Sequence, residues 1–164
     1  MTVQEPSSVA DLASQYQAST QAFIDAVAQL PSGTLDAGPR GGWSPRQIIH
    51  HIADSETHSY IRLRRLIADA PPVQIQGYDE EAWAAHPTLG YTTGDIDSAM
   101  AVFCAVRAAS AELIARLQSD DLQRHGVHSE SGAYDIHVWL TNYIAHPIDH
   151  AQQLTAACKG QLPE

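Results

Sequence analysis

Two histidines four residues apart, His146 and His150, stand in the stretch "YIAHPIDHAQQL". Residues at this spacing on a helix share a face, with Cβ atoms about 5–6 Å apart, so two imidazoles can converge on one metal ion. A third ligand has to come from another element. The stretch "IIHHIADSE" offers His50 and His51, whose directions on a helix differ by about 100°, so only one of them faces inward squarely. His51 adjoins Ile48, Ile52 and Ser55 on the apolar side, whereas His50 groups with Asp54 and Thr57 on the outer side. His51, His146 and His150 are therefore the candidate metal ligands. Three neutral imidazoles leave at least one coordination position for water or substrate, which is the pattern of a catalytic site rather than a closed structural one. A divalent metal is expected, zinc first, although imidazole also suits nickel, copper and iron.

Other residue types of chemical interest have plainer readings. His50, His58, His86, His125, His128 and His137 form no second pair at this spacing and read as solvent-facing or structural. Trp43 and Trp139 read as core anchors. Arg62, Arg64 and Arg65 read as a solvated helix face, and they are also the one basic cluster that could meet an anionic substrate. Cys104 and Cys158 form no CxxC pattern and lie in apolar helical stretches, so packing is expected of them and not nucleophilic catalysis. No catalytic side chain is assigned.

Four segments with a helical period must position the ligands. The first runs from about Ser8 to Leu30 and stops at "PSG". The second starts at "WSPRQ", where Ser44 can cap, Pro45 suits the first helical position and Gln47 completes a capping box; it ends at "APP". The third spans about Asp95 to Leu117, followed by a turn or small loop at "HSESG". The fourth begins near Tyr134, with Ile136, Trp139, Leu140, Tyr143, His146, His150, Leu154 and Ala157 at three- or four-residue steps. Pro147 within it has no N–H to donate and crowds the carbonyl of Tyr143, so a kink is expected between His146 and His150. The connection from Pro71 to Gly94 is long for neighbouring helices and holds one possible short helix, "YDEEAWAAH". No segment shows sustained strand alternation. The fold class is all-α, a four-helix bundle with a long connection between helices 2 and 3.

A chain of 164 residues is a length for one domain, 1–164. The start "MTVQEPSS" lacks a basic region followed by an apolar run, and the cysteines form no disulfide framework, so a cytoplasmic protein is expected. No stretch approaches the roughly 18 consecutive apolar residues of a membrane span. A net charge of −10 argues against nucleic acid and anionic lipid as partners and leaves a small molecule.

Taken together, "GGWSPRQIIHHIADSETHSYIRLRRLIADAPPVQIQGYDEEAWA" and "HSESGAYDIHVWLTNYIAHPIDHAQQL" resemble the DinB-like superfamily, and within it the YfiT-type metal-dependent hydrolase or bacillithiol transferase family. The resemblance covers about residues 40 to 155. It implies a four-helix bundle, usually a homodimer, that binds zinc or nickel through positions matching His51, His146 and His150. It further implies transfer of a low-molecular-weight thiol to an electrophile, with metal-activated water and hydrolysis as the alternative. A metal-binding or interaction module without turnover is the reading from a different class. Ala145 and Asp149 depart from the family's pattern, which commonly has an aromatic residue and a further histidine there.

Overall fold

A computed structural model describes residues 8–163 of the chain. Four long helices make the frame: α1 (Val9–Ala28), α2 (Pro45–Ala68), α4 (Ile96–Ile114) and α5 (Ile136–Ala157), with the short α3 (Glu80–Ala85) between the second and the third. Each starts where its side chains can satisfy free N–H groups. Ser8 and Asp11 form a capping box at α1, and Ser44 and Gln47 form one at α2 with Pro45 in the first turn. Asp79, Asp95 and Asp135 cap α3, α4 and α5. The first and third long helices end a few residues before the expected Leu30 and Leu117, and the last begins at Ile136 instead of near Tyr134. Helix α1 packs against α5 and α2 against α4, and contacts of α2 with α5 and of α1 with α4 close the bundle.

A small three-stranded sheet adds to the expected all-helical architecture. Strand β1 (Val73–Ile75) pairs in parallel with β2 (His125–His128), which pairs antiparallel with β3 (Gly132–Asp135). The expected loop at "HSESG" is the tip of this hairpin. His128 shapes the tip, its Nδ1 accepting from the N–H groups of Glu130 and Ser131 at 3.2 and 3.4 Å. Strands of three or four residues are too short for a period-2 pattern to show in the sequence.

The core is in two parts. One contains Leu12, Tyr16, Leu63, Leu66, Ile114, Trp139, Leu140 and Tyr143, with the sheet residues Val73 and Ile75; the other contains Phe23, Ile48, Ile49, Ile52, Phe103 and Leu154. Along every long helix a polar or imino residue separates the two parts: Ser19 on α1, Glu56 and Ser59 on α2, Arg107 and Ser110 on α4, Pro147 on α5. Arg107 is 1% exposed and Glu56 is fully buried, 3.1 Å apart at Nη1 and Oε1. Nothing local marks either as a buried charge: Glu56 stands in the polar run "DSETH" and Arg107 is a single arginine among alanines.

Helix α5 continues through Pro147, which lies inside it between His146 and His150. Trp139 is a core anchor as expected, its Nε1 donating to the Ser59 carbonyl at 3.2 Å. The three arginines do not form one basic patch. Arg62 donates to Tyr143 Oη and the Gln76 carbonyl, Arg64 stacks on Tyr60, and Arg65 pairs with Asp69. Cys104 is exposed on α4 instead of packed, and Cys158 is half-buried beside Thr34. Among the described residues no helix is long and apolar enough to cross a membrane.

Candidate metal centre

The tertiary fold brings His51 of α2 to the pair on α5. His146 Nε2 lies 3.4 Å from His51 Nε2 and 3.0 Å from His150 Nε2. One ligand atom from each of the three residues lies within 4.8 Å of the others. Metal–nitrogen bonds of 2.0–2.1 Å at a tetrahedral angle place neighbouring nitrogens about 3.4 Å apart, a spacing that His146 and His51 match and that His146 and His150 approach at 3.0 Å. His146 occupies the middle of the set.

Electrostatics points the same way. Three ring nitrogens aimed at one point repel unless protons or a cation lie between them. Burial, reinforced by the neighbouring imidazoles, lowers the pKa of His51 to about 3 and that of His146 well below the ordinary histidine value. Burial lowers His150 too, against the pull of Gln153 and Asp149. Protons are therefore disfavoured between the rings, and a divalent cation fits the donor set.

Each ring is oriented differently. His150 Nδ1 lies 2.7 Å from Gln153 Oε1, which holds the ring proton on Nδ1 and leaves Nε2 free to ligate. The Nδ1 atoms of His51 and His146 are buried without a partner among the described residues. Packing holds those rings: Trp43 lies 4.8 Å from the His51 ring, and Tyr143 lies 6.0 Å from the His146 ring. Trp43 is thus half-buried against the His51 ring and is not solely the core anchor expected of it. Asp149 is exposed, and Gln153 does the orienting that an acidic neighbour could have done. Gln153 stands three residues after His150, so helical spacing alone could have marked it.

Glu80, at the start of α3, puts Oε2 3.9 Å from His51 Nε2. Burial, with Glu130 nearby, raises its pKa. Nothing in the sequence connected this carboxylate to the site, because the link depends on how the α2–α4 connection folds back. Trp43 and Gln153 also line a cleft of about 510 Å³ with Gly41, Gln47, Glu81 and Ala84.

The remaining histidines lie outside the cluster. His58 stacks on Tyr78 with 4.2 Å between ring centroids, and His50 lies 5.8 Å from Tyr91. His86 accepts from the N–H of Thr88, while His125 and His137 are exposed.

A four-helix bundle that joins three histidines from two of its helices defines a recognisable class. The chain belongs to the DinB superfamily, whose family model matches residues 6–154. It is 35% identical over 134 residues to a protein from Oceanobacillus iheyensis, covering 81% of this chain and 76% of the other. A protein from Bacillus cereus strain B4264 is 30% identical over 135 residues, covering 82% and 76%. Both carry the name "Putative metal-dependent hydrolase". The fold is similar to that of YfiT from Bacillus subtilis, described as having an unusual four-helix bundle topology, with a TM-score of 0.83. That match covers 97% of this chain and 92% of the other at 24% identity.

Proposed function

We propose that the chain is a metal-dependent enzyme in which His51, His146 and His150 hold one divalent ion, zinc or nickel, and that it transfers a small thiol to an electrophile. The observation that carries this reading is the convergence of three Nε2 atoms at 3.0 and 3.4 Å in a pocket that disfavours their protonation. When bound, the ion lowers the proton affinity of a coordinated thiol or water. Glu80 Oε2, beside His51, accepts the proton released. Gln153 keeps His150 in the ligating tautomer, and Trp43 holds the His51 ring while forming one wall of the cleft by which substrate approaches. Neither cysteine belongs to the histidine cluster, so the sulfur nucleophile comes from a small molecule. Homodimerisation is part of the proposal and is read by sedimentation equilibrium.

Hydrolysis by the same ligand set is the second reading, favoured by the names that the relatives carry. The test is a rate measurement with zinc- or nickel-loaded protein, a panel of low-molecular-weight thiols and a chromogenic electrophile. A thiol-dependent rate that disappears on chelation is expected. Turnover of esters or amides with no response to thiols would replace transfer with hydrolysis, and metal binding without either activity would replace both with a binding module. His51→Ala, His146→Ala and His150→Ala are each expected to abolish tight metal binding in a chelator competition; retention of wild-type affinity by all three would overturn the ligand assignment.

A further inference from the structure

Pro147 lies inside α5 between His146 and His150 and brings no N–H to the helix. The group left without its helical partner is the carbonyl of Tyr143, four residues earlier. Tyr143 is buried, so an unpaired carbonyl there would be left without water as well as without the helix. Arg107 of α4 fills the gap, its Nη1 donating to the Tyr143 carbonyl at 2.7 Å.

The other four donors of the guanidinium are also placed. Nη1 reaches Glu56 Oε1 at 3.1 Å, Nη2 reaches the Tyr16 carbonyl at 2.6 Å and Ser19 Oγ at 2.8 Å, and Nε reaches Thr20 Oγ1 at 2.7 Å. The group also stacks on the Tyr16 ring, 3.4 Å from its centroid. A counter-ion for Glu56 would need only one of these bonds. The full set ties α1, α2 and α4 to one backbone carbonyl of α5, one turn before the central ligand. His146 Nε2 is the atom near both other ligands, so a shift of its turn alters two ligand spacings at once.

We infer that Arg107 is a positioning residue of the histidine centre: its guanidinium stands in for the N–H that Pro147 lacks and so sets the turn of α5 that carries His146. The inference rests on the metal-site reading for its consequence, and on the backbone geometry alone for the pairing of Arg107 with the Pro147 gap. Restoring an N–H at position 147 should make the arginine dispensable for ligand placement, a dependence that a purely structural arginine would not show.

The test is a double-mutant cycle of Arg107→Lys and Pro147→Ala in the full chain, read by zinc affinity in a chelator competition and by the visible spectrum of the cobalt-loaded protein. Arg107→Lys keeps a positive charge beside Glu56 and loses the planar fork. It is expected to weaken zinc binding about tenfold or more and to change the cobalt spectrum when Pro147 is present. In the Pro147→Ala background the loss is expected to shrink to about twofold, with little spectral change. Equal losses in both backgrounds would overturn the inference. If Arg107→Lys does not fold, Arg107→Gln with Glu56→Gln replaces it, exchanging the ion pair for an amide pair.

Urea unfolding of the metal-free proteins separates this inference from the metal reading. If the wild type binds no zinc, the metal reading fails. The pairing then stands if Arg107 and Pro147 are coupled by about tenfold in the unfolding equilibrium and falls if their effects add.

Discussion

The His150 ring is held by one side chain, Gln153, whose amide oxygen lies 2.7 Å from Nδ1 and so favours the tautomer with Nε2 free. Gln153→Leu keeps the bulk but removes the acceptor, so the ring can rotate and place its proton on either nitrogen. The expected outcome is a 10- to 100-fold loss of zinc affinity with little change in metal-free stability, checked by chelator competition and urea unfolding. An unchanged affinity would mean that packing alone orients His150. Trp43 makes the contrast, since it holds the His51 ring by contact and not by a hydrogen bond.

Among the elements, the sheet depends on one glycine. A Cβ at Gly126 would stand 2.5 Å from the Val73 carbonyl oxygen and 3.1 Å from Val73 Cβ, where β1 and β2 pair. The nearer atom is backbone and cannot turn aside. Gly126→Ala is therefore expected to cost about 1–3 kcal/mol, read as a lower urea midpoint. The sheet joins the α2–α4 connection to the α4–α5 connection, and the first of these carries Glu80 to the histidine cluster. That gives the long connection a physical purpose which its length alone did not reveal. The α5 helix shows a similar dependence, because its continuity through Pro147 coincides with a bond from α4 to the freed carbonyl.

For the whole molecule, five histidines carry lowered pKa values, His51, His58, His128, His146 and His150, with burial the first cause in each. A group that resists protonation in the fold stabilises it above the unfolded pKa of 6.5, and that stability is lost as pH falls toward the folded value, about 3 for His51. Glu56 acts in the opposite sense. Burial outweighs Arg107 and pushes it up to about 7 from 4.5, so its contribution is lost as pH rises through that window. The histidines outnumber it, and the metal-free protein is expected to gain stability between pH 4.5 and 6.5, read as a rising urea midpoint. A flat or falling midpoint would show that the rings are more hydrated than the fold implies. Zinc at 100 times its Kd should add about 2.7 kcal/mol at neutral pH, an increment that acid removes as protons compete for the three nitrogens.

Much of this protein is local in origin and therefore legible in the chain. Helical period and capping chemistry place the long helices to within a few residues, and the four-residue step from His146 to His150 sets two rings on one face whatever surrounds them. The apolar neighbours of His51 were enough to separate it from His50, because both answers depend only on the geometry of one helix. What depends on distant segments was decided by tertiary packing. Glu80 reaches the site across a folded connection, the strands exist only because β1 and β2 find each other from far apart, and Arg107 takes its meaning from a carbonyl 36 residues away on another helix. An arginine among alanines reads as a solvated face until the bundle closes over it, and a proline between two histidines of a helix leaves a carbonyl unpaired until another helix supplies the missing donor.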